Sequence, residues 1–169
     1  MADRKAFLGL LAIVLIGLAL PHPKGNPVVG AENNSYHARS FWYYPWGRSG
    51  THKGVDVLAS IGTDVKSTTG GLVLYTGQLA MGGKVVLVLG PKWRLHYFAH
   101  LHTMNTSSFR WCSAGSIIGT VGDSGNAKGK PPHLHYSIVT LIPYPWRMDG
   151  SHQGWKKMFY LDPTPYLAR

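Results

Sequence analysis

The chain is poor in cysteine, in acidic residues and in long helical periods, and each scarcity excludes something. One cysteine, Cys112, stands in 169 residues, so no intramolecular disulfide framework can hold this fold. A chain of this length can bury enough apolar surface without one. Cys112 follows Trp111 and lies just before Ile117 and Ile118, the setting of a small core hydrophobe. Acidic residues number only 7 against 17 Lys and Arg, a net charge of +10. That excess suits either a generally basic surface or attraction to polyanions such as anionic wall or envelope polymers. No helix-turn-helix pattern or glycine–aromatic strand signature accompanies it, so no nucleic-acid partner is expected. Hydrophobic residues make up 44% of the chain, too many for a disordered one.

The one long apolar run is Ala6 to Leu20, preceded by Arg4 and Lys5. Basic residues before an apolar stretch of this kind read as an export leader. The run is short for a full membrane span of about 20 residues. It is therefore expected as a cleaved signal or as an N-terminal anchor making membrane contact through residues 6–20. Val29-Gly30-Ala31 offers small residues for cleavage. Pro21, Pro23, Gly25 and Pro27 then break any helix, and residues 21 to about 40 read as a linker. The expected division is 1–31 for the leader and the start of the linker, 32–47 for linker and aromatic segment, and 48–169 for the functional domain. Either form of the leader implies an exported protein, periplasmic or associated with the cell wall.

After Val65 come short β-branched runs separated by glycine. Leu72–Tyr75, Lys84–Leu89, Arg94–Leu101, Ser116–Val121 and His133–Val139 read as strands. Gly70-Gly71, Gly82-Gly83, Gly90-Pro91 and Gly122–Gly125 punctuate them. No helical period of useful length exists outside the leader. The expected fold is all-β, an antiparallel β-sandwich or partly open barrel. Phe41 to Trp46 packs aromatics densely before the first strand, as a lid over the sheet or as a stacking surface for sugar or peptide. The aromatic tail from Pro143 to Tyr166 reads as an irregular segment packed over a sheet edge.

Three histidine patterns carry chemistry. His52 and Asp56 are four apart, with Gly54 and Val55 between them marking a loop that enters a strand. An imidazole and a carboxylate together suit zinc. His133 and His135 flank Leu134 in an apolar strand, so both imidazoles project from one face and Leu134 toward the core. Arg94 to His102 holds His96, His100 and His102; alternation puts His96, Phe98 and His100 on one face, and His100 is the one expected to function. Catalytic zinc takes three protein ligands and leaves a fourth position open. His52, Asp56 and one of His133 and His135 supply those three. The remaining histidine and His100 are then placed to move protons and to stabilise a developing oxyanion.

The segments His52-Lys53-Gly54-Val55-Asp56, Tyr97-Phe98-Ala99-His100-Leu101 and His133-Leu134-His135-Tyr136-Ser137-Ile138 occur in that order. Together with Gly62-Thr63-Asp64-Val65, Gly119–Gly122, Ser124-Gly125 and Asp162-Pro163 they resemble the zinc endopeptidases related to lysostaphin and LytM, which hydrolyse peptidoglycan peptides. The resemblance spans about residues 48 to 167. It implies one Zn²⁺ held by His52, Asp56 and His135, with His133 and His100 as the catalytic pair. It also implies a groove along one sheet that receives the peptide cross-links of peptidoglycan. Some relatives of this kind have lost their ligands and only regulate other wall hydrolases; all five key positions are present here. The aromatic stretch from Leu141 to Leu161 is long beside the family pattern and is expected to wall the groove or to cover it.

Overall fold

A computed structural model describes residues 2–22 and 24–167. The N-terminal apolar run lies in helix α1, Ala2–Ala19. Its Phe7, Leu8, Leu10, Ile13, Leu15 and Ile16 side chains all face solvent. Among the described residues no helix is long and apolar enough to cross a membrane. The helix touches the rest of the chain at a turn around Trp93, whose indole Nε1–H donates to the Val14 carbonyl, while the Lys92 ammonium donates to that of Leu18.

Nine strands follow: β1 (Val55–Leu58), β2 (Asp64–Lys66), β3 (Gly71–Leu79), β4 (Gly83–Gly90), β5 (Arg94–Met104), β6 (Trp111–Cys112), β7 (Ile117–Val121), β8 (His133–Thr140) and β9 (Tyr160–Leu161). All pairings are antiparallel and form one sheet ordered β1-β8-β5-β4-β3-β6, with β7 joining β2 to β5 and β9 joined to β8. The sheet is open, as the all-β expectation allowed. Each of the five strands read from β-branched runs is present. The four missed strands have two to four residues each, too short for an alternation to show. Beyond α1, the one α-helix among the described residues is the single turn α2, Thr164–Leu167.

Alternation along the strands separates two faces. Val55 and Val57 of β1, Leu134, Tyr136 and Ile138 of β8, Phe98 of β5 and Val86 and Val88 of β4 are wholly buried on one face. Val65, Ile118 and Val121 of β2 and β7 close over them, together with Cys112 and Leu167. Cys112 is thus the core residue its neighbours implied. Burying each such valine or leucine contributes about 1.5–3 kcal/mol. The opposite face carries Asp56, His135 and Ser137, among them two of the expected ligands.

The stretch read as a linker does not hang free. Val28 is 1% exposed within the core. The Val29 N–H donates to the Asp64 carbonyl, and the Lys66 N–H to that of Pro27. Tyr36 forms a bridge with Val57. Its Pro, Gly and Asn content gave no periodic signal, yet an extended segment needs only one apolar side chain and a few backbone bonds to seal a sheet edge.

The tail lies over the edge as expected. β9 pairs with Ile138 and Val139, just beyond the reach of β1, which pairs with His133 to Tyr136.

Candidate metal centre

Register brings the ligand candidates together. β1 and β8 pair Asp56 with His135, so the two side chains rise side by side from one face. His52 lies in the loop before β1. Gly54 lets that loop turn close against β8, since a Cβ there would meet the Tyr136 carbonyl at 2.5 Å. The result is a tight triad. His52 Nε2 is 3.0 Å from Asp56 Oδ1, His135 Nδ1 is 2.7 Å from the same oxygen, and the two ring nitrogens are 3.1 Å apart.

The outer ring nitrogens explain this orientation. His52 Nδ1 lies 3.0 Å from the Ser40 carbonyl, which can only accept. The proton therefore sits on Nδ1 and leaves the Nε2 lone pair pointing inward. His135 Nε2 is 2.9 Å from the Ser137 hydroxyl, which can accept the proton of Nε2 and so leave Nδ1 free. Burial lowers the His135 pKa below the ordinary imidazole value, with Asp56 opposing, so the ring is the neutral form a metal requires. Burial alone would raise the Asp56 pKa, but the adjacent His135 and His52 rings outweigh it and hold the carboxyl well below the usual carboxylate range. Two lone pairs and an anion converging on one point call for a cation. Ligands about 2.0–2.1 Å from zinc at tetrahedral angles stand about 3.3 Å apart, close to the separations here. These three residues could hold the ion, and they are the one such group among the described residues.

The two remaining histidines border the triad. His133 Nδ1–H donates to the Pro131 carbonyl at 2.8 Å, and its Nε2 lies 3.8 Å from Asp56 Oδ2. His100 Nδ1–H donates to the Ser124 carbonyl at 2.9 Å. The His100 and His133 rings are 5.0 Å apart. Burial, then the neighbouring His135, lowers the His100 pKa to about 4, so this ring is neutral near neutrality. All five residues expected at the site are thus brought together.

One expectation about β5 fails. His100 does not share a face with His96 and Phe98. It has φ = 64°, and the register with β4 shifts between Lys84 and Val86. This bulge turns His100 to the metal face, while His96 and Phe98 stay in the core with no exposure. His96 is structural: its Nδ1 is 2.7 Å from the Tyr136 hydroxyl. His102 lies at the surface, its backbone carbonyl bound by Lys84.

The triad opens into a groove of about 770 Å³. Tyr97, Leu87 and Val139 form its floor, and Trp46 and Tyr160 its wall. Of the two readings of the aromatic segment before β1, the groove wall formed by Trp46 suits a stacking surface rather than a lid over the sheet. Trp46 stacks on His52 with ring centroids 4.2 Å apart, and Trp42 packs 6.0 Å from Tyr160. The Leu141–Leu161 stretch walls the groove through Tyr160 and does not cover it. Its Gln153 amide holds the Ser49 carbonyl. Sequence reasoning missed Ser40, Pro131 and Ser124 as orienting groups because they act through backbone carbonyls, which any residue supplies. Ser137 had a signal, two residues beyond His135 on the same face.

This geometry is that of a metallopeptidase. Residues 50–145 match the model of peptidase family M23, and the chain belongs to that family, whose members are zinc metallopeptidases. It is 33% identical over 141 residues to the L-Ala--D-Glu endopeptidase of Bacillus subtilis, covering 78% of this chain and 40% of that protein. It is 32% identical over 107 residues to lysostaphin of Staphylococcus simulans, covering 62% of this chain and 21% of that protein. The chain thus spans well under half of either relative. The catalytic domain of lysostaphin from S. simulans superposes with a TM-score of 0.60 at 28% identity, over 79% of this chain and 92% of that domain.

Proposed function

We propose that this protein is an exported zinc metalloendopeptidase that hydrolyses peptide cross-links of bacterial peptidoglycan. The observation that carries the reading is the convergence of His52 Nε2, Asp56 Oδ1 and His135 Nδ1, with the His100 and His133 rings beside them at the floor of an open groove. Kinship with an L-Ala--D-Glu endopeptidase and with a peptidoglycan DD-endopeptidase supports the substrate class. The basic start and apolar body of α1, with side chains left in solvent, support export.

A zinc ion held by His52, Asp56 and His135 supplies Lewis acidity for a scissile carbonyl and for the attacking water. The rest falls to the chain. Asp56 is the one carboxylate at the centre, so it offsets only part of the ion's charge. His133 Nε2 carries a lone pair and lies near Asp56 Oδ2, which stabilises the ring once it takes a proton. It is the better placed general base, returning that proton to the leaving amine. His100 lies across from His133; its Nδ1–H is committed to the Ser124 carbonyl, so its inner Nε2 presents a lone pair that can relay the proton and can face the oxyanion favourably only after taking one up. Trp46 and Tyr160 line the wall of the groove and hold the peptide extended along β8.

The test is direct. Zinc-loaded protein is incubated with purified peptidoglycan and the products are read by mass spectrometry. New peptide termini are expected and name the bond cut. Intact muropeptides from several wall types would reject the hydrolase reading.

A further inference from the structure

The charge lining the groove is one-sided. Arg48, Lys53 and Lys130 border it, and Asp56 is the one carboxylate among the described residues that line it. Asp56 is committed to the metal centre, and its charge faces His52 and His135. No acid is left to balance the three cations. With a divalent ion in place the groove would be more positive still.

The cations are also ordered along the groove. β8 runs along the floor, with His133 opposite Leu58 at one end and Tyr136 opposite Val55 at the other. Lys130 belongs to the loop entering β8 at the His133 end. Lys53 belongs to the loop entering β1 at the opposite end, its ammonium donating to the Ser49 carbonyl at 2.9 Å beside Arg48. Asp56 and His135 lie between. The five residues His133 to Ser137, four steps of about 3.3 Å each, span about 13 Å. An extended peptide centred on the metal would thus bring groups about two residues to either side of its scissile bond toward these cations.

We infer that this site selects peptides bearing free carboxylates on both sides of the scissile bond, rather than neutral oligoglycine. The inference rests on the reading of the groove as a peptide site. Exposed Lys and Arg attract carboxylates over several ångströms and raise the local substrate concentration, an effect screened by salt. A neutral chain would gain nothing from them and would leave Arg48 and Lys130 idle.

The test uses zinc-loaded protein and three synthetic peptides: a branched stem peptide with free carboxylates, the same peptide with those carboxylates amidated, and pentaglycine. Turnover is read for the wild type. Binding is read by tryptophan fluorescence in the slow variant His133→Ala. The carboxylate peptide is expected to bind at least ten-fold more tightly at low salt, and this preference to shrink at 0.5 M salt. The double substitution Arg48→Gln and Lys130→Gln should raise KM for the carboxylate peptide about ten-fold and leave the amidated one unchanged. Equal binding of all three peptides, or a double variant that weakens them alike, overturns the inference. Cleavage of all three at equal rates overturns it too, while leaving the hydrolase reading intact. A carboxylate preference in binding with no cleavage of any peptide supports it and rejects the hydrolase reading.

Discussion

The indole of Trp46 lies on the imidazole of His52, centroids 4.2 Å apart and planes 27° from parallel. With the Ser40 carbonyl on Nδ1, it fixes both the plane and the tautomer of a ring that reaches toward the metal position. Groups that orient ligands in this way typically contribute 10- to 100-fold to metal affinity or activity. Trp46→Ala is therefore expected to weaken zinc binding about ten-fold and keep the fold, because Trp46 is partly exposed on the groove rim. Competition with a chelator of known affinity measures this. Unchanged zinc affinity would show that the stack is packing alone.

Asp56 and His133 are 3.8 Å apart but separable by experiment. Asp56→Ala removes the anion that His52 and His135 share and should abolish zinc binding and activity together. His133→Ala should retain zinc and lose rate by about 10²- to 10⁴-fold, the usual contribution of a general acid–base group. Calorimetry adds a readout independent of turnover. Zinc at 100 times its Kd stabilises a native site by about 2.7 kcal/mol, so the wild type and His133→Ala should gain several degrees in Tm with zinc. Asp56→Ala should gain none.

Much of the candidate site was legible in the sequence because Asp56 and His135 are carried by paired strands, with His52 four residues before Asp56. A His-x-His pair on a β-strand must share a face, and a four-residue His–Asp spacing across a loop–strand junction survives any small change in the turn. His100 shows where that logic ends. Alternation puts it with His96 and Phe98, yet a bulge and φ = 64° reverse it. Nothing in the run Arg94–Leu101 marks the bulge. The partner glycines do, since the His100 N–H donates to Gly82, and Gly125 holds φ = 68° with an added Cβ meeting the Gly83 nitrogen at 2.3 Å. The place of residues 25–31 was illegible for a different reason. Pro27 and Val28 are buried in a stretch otherwise built of linker residues, and the burial of Val28 depends on β2 being there to meet it.

That packing has a practical consequence. Protein starting at residue 32, as a cleavage after Ala31 would leave it, loses Val28 from the core and the backbone bonds that join Pro27 and Val29 to β2. Val28 alone contributes about 1.5–3 kcal/mol. Residues 24–169 should therefore be the more stable form, by at least that amount in urea unfolding, and Val28→Ala should account for much of the difference. Equal midpoints for the two lengths would show that the segment is dispensable.

His96 makes the fold acid-sensitive independently of the metal. It has no exposure, and its Nδ1 meets the Tyr136 hydroxyl at 2.7 Å and that of Thr68 at 3.2 Å. Burial, then the nearby His22 and Arg94, lowers its pKa from 6.5 to about 3. The direction follows from linkage. Below pH 6.5 the unfolded chain takes up a proton that the folded chain refuses, so the stabilisation is complete above that pH and is lost as pH falls toward 3. The slope is at most about 1.4 kcal/mol per pH unit, or about 2 kcal/mol by pH 5. Replacing His96 by Asn keeps a polar partner for Tyr136 and removes the proton site. In zinc-free protein, where the metal-site histidines affect both forms alike, His96→Asn should be less stable than wild type at pH 7.5, and the gap should narrow by about 2 kcal/mol at pH 5. A gap that stays constant over this range would mean that native His96 takes up its proton in step with the unfolded chain, its pKa near the ordinary imidazole value, which requires a partner on Nε2 that offsets its burial.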